Sequence, residues 1–218
     1  MNKIYLDERF FLDENFRKAL AWILGIREGD EITEKMIAAT TKLDVTRKLI
    51  VDLAGIEHFT ALKYLYCGSN QLTALDVSKN TNLTELYCFG NQLTALDVSH
   101  NTALTELYCF GNQLTSLDMS KNTALTDLYC SYNQLTSLDV SKNTALNTLC
   151  CNNNQLTVLD VSKNTALKSL VCGNNQLTEL DVMENQQLRG VCVDDNVEVY
   201  SSPNLQKELD VRYQWVVI

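Results

Sequence analysis

Cysteine is the residue type in this chain of 218 residues whose spacing most directly suggests chemistry. Six of the eight cysteines recur every 21 residues, at Cys67, Cys88, Cys109, Cys130, Cys151 and Cys172. Evenly spaced thiols could form disulfides, but every thiol would have the same neighbours on both sides, and adjacent parallel strands seldom give the torsion that a disulfide needs. We therefore expect a buried, reduced column that packs like a small apolar residue. Val193 fills the seventh position of this column, as an apolar filler would and a metal ligand could not.

The remaining candidates for catalysis or metal binding are scattered. Cys150 and Cys192 occupy an outward position of the repeat, two turns and roughly 9–10 Å apart, too far for a disulfide. His58 and His100 fall in different columns, and no Ser/His/Asp or Cys/His/Asp grouping is indicated. Zinc-site spacing is absent as well. The sequence therefore predicts no enzyme, no metal and no cofactor.

A second periodic feature is acidic, with one aspartate per unit at Asp76, Asp97, Asp118, Asp139, Asp160 and Asp181. Like charges stacked at strand spacing repel one another. We expect hydrogen bonds from nearby Ser, Thr and backbone N–H groups to offset that repulsion, helped by lysines three residues later. Calcium is the alternative, since some β-solenoids bind it along aspartate columns, although those motifs are glycine-rich.

These columns follow from an internal repeat that begins at Leu62. Six units of 21 residues share the order L-x-x-L-x-C-x-x-N-Q-L-T-x-L-D-V-S-x-N, and a partial seventh runs over residues 188–196. Within L-x-C the apolar residues alternate, so Leu65 and Cys67 face inward while Tyr64, Tyr66 and Gly68 face outward. A single turn cannot cover its own apolar edge, so the turns must stack. Two asparagine columns, Asn70 to Asn196 and Asn80 to Asn185, are predicted to satisfy the turn backbone.

The two ends of the chain differ from the array and read as caps. Residues 13–24 and 30–40 carry helix signals, with Asp13 placed to cap the first helix. Residues 43–62 repeat the inward pattern with a 22-residue step, and residues 197–218 are rich in strand formers around a turn at 201–203. We expect one cooperative domain with an N-terminal helical cap (1–42), the repeat array (43–196) and a C-terminal strand cap (197–218).

The repeated unit resembles the leucine-rich repeat, with Cys at the usual third Leu, and residues 43–196 resemble the cysteine-ladder subclass of bacterial internalin-like proteins. The resemblance implies an α/β fold, a solenoid with a parallel β-sheet on its concave face. It also implies a secreted or surface-anchored protein that binds other macromolecules, although no signal peptide or anchor motif is visible. A net charge of −9 argues against nucleic acid and anionic membranes as partners. No apolar stretch is long enough for membrane insertion.

The outward face of the L-x-C strands is the predicted binding site, because aromatic anchors dominate binding energetics. Its aromatic and acidic residues crowd onto the first four full repeats: Tyr64, Tyr66, Glu85, Tyr87, Phe89, Glu106, Tyr108, Phe110, Asp127, Tyr129 and Tyr132. We expect a protein or peptide ligand there, selected as basic by the carboxylates, or a glycan on the aromatic platform. The alternatives are a column that only stiffens the sheet and a scaffold that forms homodimers through this face.

Overall fold

The computed structural model describes residues 3–203. In chain order its elements are β1 Ile4–Tyr5, α1 Glu14–Leu24, β2 Glu31–Ile32, α2 Glu34–Ala39, β3 Lys42–Asp44, a 3-10 turn at Ile56–His58, β4 Tyr64–Tyr66, β5 Glu85–Tyr87, β6 Glu106–Tyr108, β7 Asp127–Tyr129, β8 Thr148–Cys150, β9 Ser169–Val171, β10 Glu179–Asp181, β11 Gly190–Cys192 and β12 Glu198–Tyr200. The predicted solenoid is confirmed, because β3 to β9 and β11 form one eight-stranded sheet in chain order.

The main sheet is parallel throughout, and its register follows the repeat. Leu65 lies opposite Leu86, which lies opposite Leu107, and Tyr66, Tyr87 and Tyr108 are paired in the same way. The middle leucine of each strand and the repeated cysteine are fully buried, as the alternation predicts. The core is therefore a set of leucine and cysteine ladders that runs from the first turn to the last.

The N-terminal cap closes the first turn with two helices. Asp13 accepts a hydrogen bond from Phe16 N and so caps α1, and Gly25 ends that helix in the left-handed conformation that glycine adopts at low cost. The second helix is shorter than the predicted 30–40, because Thr33 caps it and β2 pairs with β1 just before it. Phe16 and Leu20 of α1 are fully buried in the core.

The first asparagine column satisfies the turns in the predicted way. In a typical turn, Asn91 Nδ2 donates to the carbonyls of Cys67 and Cys88 at 3.1 and 3.0 Å. Its Oδ1 accepts from Leu72 N at 3.0 Å, so one side chain links two neighbouring turns. Asn196, the predicted seventh member, is exposed instead. In the last turn Asp194 accepts the backbone hydrogen bond from Asn174 at 2.8 Å.

The second asparagine column is only half satisfied by protein groups. Asn101 Nδ2 donates to the carbonyls of Val77 and Asn80 at 3.0 and 2.9 Å. The side-chain oxygens of this column are fully buried and have no hydrogen-bond partner in the described structure, at Asn80, Asn101, Asn122, Asn143, Asn164 and Asn185. The prediction that these amides use both their donor and their acceptor is therefore wrong for the acceptor.

At the C-terminal end, β12 pairs in parallel with β10 to form a separate two-stranded sheet. This pairing confirms that residues 198–200 form a strand of the predicted cap. The rest of that predicted cap, residues 204–218, lies outside the described residues. The division into residues 1–42, 43–196 and 197–218 stays a prediction.

Shortening one buried leucine side chain in the middle of the array should lower the stability of the whole domain. We expect Leu107→Ala to lower the free energy of unfolding by about 2–5 kcal/mol, because Leu107 is fully buried between identical neighbours. Urea unfolding measures this change, with Thr115→Ala on the exposed turn of the same unit as the control, expected within about 0.5 kcal/mol of the parent. A loss below about 1 kcal/mol at Leu107 would contradict a tightly packed ladder.

Candidate binding face

The predicted site residues of the main sheet share its outward face, here called the tyrosine face: the side chains that β3 to β7 direct away from the core. Tyr66, Tyr87, Tyr108 and Tyr129 form one continuous column across four strands. Consecutive ring centroids are 4.5, 4.2 and 4.3 Å apart, and the first two pairs are stacked. All four rings are half-buried, where the sequence pattern predicts an exposed patch. Stacking on neighbours one strand away accounts for the difference.

The carboxylates of this face are tied to the tyrosine hydroxyls. The Tyr66 hydroxyl donates to Glu85 Oε2 at 2.5 Å, and the Tyr87 hydroxyl donates to Glu106. Burial, reinforced by these hydrogen bonds, raises the pKa of Tyr66 and Tyr87 well above the ordinary value. Asp127, the third carboxylate, accepts from Thr126 Oγ1 at 2.8 Å. At neutral pH Tyr66 and Tyr87 are therefore neutral hydrogen-bond donors to the carboxyl groups of Glu85 and Glu106.

Packing leaves ring edges and hydroxyls at the surface and covers the ring faces. Lys42 Nζ lies 4.6 Å from the Tyr66 ring centroid, so the first ring of the column is covered by a cation. Sequence reasoning began the face at Tyr64 and missed this lysine. The register of Leu43 with Leu65 could have found it, since that pairing adds the outward side chains of β3 to the face.

The third outward column is more buried than the alternation predicts. Phe89 and Phe110 stack with ring centroids 4.8 Å apart, and Phe89 covers Gly68 so closely that a Cβ there would lie 2.6 Å from the ring. Gly68, Ser131, Asn152 and Gly173 of the same column are buried. The cause is local, because the residue after each member of this column adopts a positive φ and turns the chain. Phe89 and Phe110 thus offer less contact surface than predicted.

Tyr64 and Tyr132 lie at the margins of the face. Tyr64 is half-buried on the first full repeat. Tyr132 is 51% exposed and has a φ of 54°, at the position where the two preceding turns have Gly90 and Gly111 with φ of 61° and 65°. A bulky residue in this conformation carries a backbone cost that glycine avoids. Tyr132 is therefore both the most accessible ring of the predicted set and the one held with the most backbone strain.

The cysteines divide into a buried column and two half-buried side chains. The six repeated cysteines have no solvent exposure, and burial raises the pKa of Cys88 and of Cys172 to about 12. Cys150 and Cys192 are half-buried, not exposed as the sequence pattern suggests, and burial raises the pKa of Cys150 to about 12. The raised pKa values keep the thiols of Cys88, Cys150 and Cys172 protonated and weakly nucleophilic at neutral pH.

The aspartate column uses its carboxylates within its own turns, as predicted. Asp76 Oδ1 accepts from Ser78 N at 2.9 Å, and the same bond recurs at Asp97, Asp118, Asp139 and Asp160. This backbone hydrogen bond lowers the pKa of the Asp76 carboxyl. Within residues 3–203 no group of three or more His, Cys, Asp or Glu side chains is arranged to hold a metal ion.

Comparison with known proteins relates this geometry to a family. The family model for leucine-rich repeats in two copies matches residues 60–101, 81–122 and 102–143. Internalin J of Listeria monocytogenes serotype 4b is 44% identical over 72 residues, which is 33% of this chain and 8% of that protein. The repeats are leucine-rich repeats with a cysteine ladder, and over 72 residues the chain is similar to Internalin J.

The likeness in fold to one solved structure extends beyond the matched repeats. This is the crystal structure of an internalin of L. monocytogenes, inlF. The match covers 96% of this chain and 72% of the inlF chain, with a TM-score of 0.73 and 21% sequence identity. That likeness shows the fold alone. A second solved structure is that of the functional domain of InlJ from L. monocytogenes, which includes a cysteine ladder. It is 30% identical to this chain, and the match covers 91% of this chain and 62% of that one, with a TM-score of 0.43.

The chain spans less than a tenth of the length of the curated relative, 8% of Internalin J. The internalin-like fold is consistent with a protein-binding module. No helix within residues 3–203 is long and apolar enough to cross a membrane.

The buried thiols predict how stability depends on pH. Unfolded thiols lose their protons near pH 9, whereas the folded chain retains them because burial raises their pKa, so rising pH favours the unfolded state. We expect the free energy of unfolding to be constant below about pH 8 and to fall above about pH 9. Urea titrations in a reducing buffer between pH 7 and 10 measure the slope.

A double variant with two thiols removed from the column, Cys109→Ala with Cys130→Ala, is the control for this slope. Each buried thiol contributes up to about 1.4 kcal/mol per pH unit, so the loss above pH 9 should be shallower in the variant by roughly twice that amount. Equal slopes in parent and variant would show that the ladder thiols do not cause the pH dependence.

Gly111 and Tyr132 occupy the same left-handed position in two neighbouring turns, so replacing their side chains should change stability in opposite directions. We expect Gly111→Ala to cost about 1 kcal/mol, since a Cβ there has room and only the backbone conformation is penalised. Tyr132→Gly should leave thermal stability unchanged or raise it by up to about 1 kcal/mol. Calorimetry on both variants measures the pair. A loss above about 2 kcal/mol for Tyr132→Gly would mean that its ring supports the fold, not a contact surface.

Proposed function

We propose that this chain is a non-enzymatic binding module whose tyrosine face takes a protein or peptide ligand bearing basic residues. The observation that carries the proposal is the row of carboxylates at Glu85, Glu106 and Asp127, each one strand from the next and two of them oriented by tyrosine hydroxyls. Charges held in a fixed row, half-removed from water, attract a complementary row of cations more strongly than mobile surface charges do.

The stacked rings support a peptide ligand over a glycan. Sugars bind aromatic side chains through ring faces, and the faces of Tyr66, Tyr87 and Tyr108 are occupied by neighbouring groups. What remains accessible is a strip of ring edges and hydroxyls beside the carboxylates, which suits lysine and arginine side chains with their long apolar stems. The same stacking also stiffens the sheet, so the column serves the scaffold and the surface together.

Pairing of two copies through this face is disfavoured by charge. In a two-fold symmetric dimer the same patch meets itself, so Glu85, Glu106 and Asp127 of one copy would approach those of the other. Like charges in contact weaken such an interface. The likeness to internalins also supports a secreted or cell-surface location, which we propose with the binding role.

Selection from a displayed library of 12-residue peptides tests the proposal without a known partner. We expect the parent protein to enrich peptides that carry clustered Lys or Arg. The triple variant Glu85→Gln, Glu106→Gln, Asp127→Asn should bind the selected peptides about tenfold more weakly, since each exposed ion pair contributes up to about 1 kcal/mol. Added salt should weaken parent binding in the same direction.

A matched variant carries the same charge change away from the tyrosine face: Glu179→Gln, Glu184→Gln, Asp195→Asn, all at exposed positions. It should bind like the parent. Equal retention of the peptides by the two triple variants, or no enrichment on the parent, would overturn the proposed role of this face. Concentration-dependent dimerisation that disappears in the double variant Tyr108→Ser, Phe110→Ser would support the scaffold alternative instead.

A further inference from the structure

An exposed tryptophan lies at the start of the tyrosine face, where the N-terminal helix meets the first turn of the array. Trp22 of α1 is 84% exposed, which is unusual for the largest aromatic side chain. Asn15, Lys18 and Trp22 lie on one side of α1, at helical spacings of three and four residues. Together with Asp44 and Lys48 of the first turn they line a cleft of about 190 Å³.

The wall opposite the helix is built differently from every later turn. Lys48 stands where the following turns have the buried residues Asn70 and Asn91, and its side chain is exposed. The next residue, Leu49, has a φ of 59°, whereas no equivalent residue of the later described turns has a positive φ. Two hydrogen bonds to Asn70 Oδ1, from Lys48 N and Ile50 N, and one from Asn15 Nδ2 to Leu49 O hold this strained loop.

Strained backbone that its surroundings hold firmly is typical of binding sites. Here Lys48 lines the cleft, and the strained neighbouring residue Leu49 is 64% exposed. The first turn is thereby locked against α1, and the cleft is formed before any ligand arrives. This preorganisation reduces the cost of ordering the site on binding.

The cleft differs in charge from the row of carboxylates at Glu85, Glu106 and Asp127, because two of its lining residues are lysines. Lys18 and Lys48 outnumber Asp44 there, in a chain whose net charge is −9. Asp44 accepts a hydrogen bond from Thr46 N at 3.1 Å, and Lys18 pairs with Glu14 at 2.5 Å. Both partners of the Lys18 pair are exposed, so exchange of Glu14 for a ligand carboxylate costs little.

The cleft continues into the tyrosine face. Asp44 is in direct register with Tyr66, the first ring of the column. Glu85, Glu106 and Asp127 follow two to four strands further on, which is about 10–19 Å at strand spacing. An extended peptide of about six residues spans that distance.

We propose that the cleft is the second anchor of the same ligand and takes an acidic, aromatic-containing segment of a peptide whose basic segment lies over the carboxylates. The aromatic side chain packs on Trp22, and the acidic groups pair with Lys18 and Lys48. This assignment rests on the proposed function. A peptide fits better than an acidic sugar, because one peptide supplies both signs of charge in the order that the face requires.

The indole N–H signal of Trp22 in NMR spectra, assigned with Trp22→Phe, reports on the cleft directly. The probe is the capped tripeptide acetyl-Asp-Phe-Asp-amide. We expect it to shift the Trp22 signal, with an affinity about fivefold lower for Lys18→Gln with Lys48→Gln. Acetyl-Lys-Phe-Lys-amide should leave the signal in place. The matched control is Lys121→Gln with Lys142→Gln on exposed turns of the array, which should behave like the parent.

A composite peptide, Asp-Phe-Asp joined by four Gly or Ser residues to a Lys-rich segment, tests the link between the two anchors. It should bind at least tenfold more tightly than either segment alone, and both the lysine variant and the carboxylate triple variant should remove that gain. An unmoved Trp22 signal, an equal shift with the lysine tripeptide, or a shift with glucuronic acid alone would overturn the cleft assignment. Loss of composite binding in the carboxylate variant alone would retain the proposed function without the second anchor.

Discussion

No turn of this chain is stable by itself, and the rest of the structure depends on that constraint. A strand of three residues cannot form a sheet, and the leucines of one turn have no second layer to pack against. Both needs are met only by an identical turn one strand away, with Leu86 between Leu65 and Leu107. The repeat is thus a register condition, since a shift of one residue within a strand would put a polar residue opposite a buried leucine. The 22-residue first step keeps Leu43 opposite Leu65 because its extra residue lies outside the strands.

The stacking of identical turns also buries polar side chains, and the two asparagine columns differ in how well their hydrogen bonds are satisfied. In the first column, the amide of Asn91 donates to two turns and accepts from a third backbone group, so its burial is compensated. In the second, the donors of Asn101 are used but its oxygen is not. A buried unpaired acceptor is costly. The column therefore contributes through its donated bonds, which close the turn where no strand partner exists.

Sequence alone predicts what the period determines and fails where the chain departs from it. The inward positions of Leu65 and Cys67, and helix α1 with its Asp13 cap, follow from spacing and local preference. The burial of Ser131 does not, because the positive φ of the following residue rotates the chain in a way that strand alternation cannot anticipate. The Trp22 cleft requires docking of α1 against the first turn, a tertiary contact with no repeat to indicate it.

Under the proposed function, one set of side chains on the tyrosine face serves both stability and recognition. Stacking of Tyr66, Tyr87 and Tyr108 removes ring faces from water and so limits what the rings can bind. The same stacking fixes the hydroxyls that hold Glu85 and Glu106, so the negative charges are displayed at strand intervals. Loosely packed tyrosine rings would expose more aromatic surface, but their hydroxyls would not hold the carboxylates in fixed positions. Under the proposed function with its second anchor, specificity comes from the fixed order of charges. Lys18 of α1 and Lys48 of the first turn precede the carboxylates, and this order defines the direction in which the ligand lies.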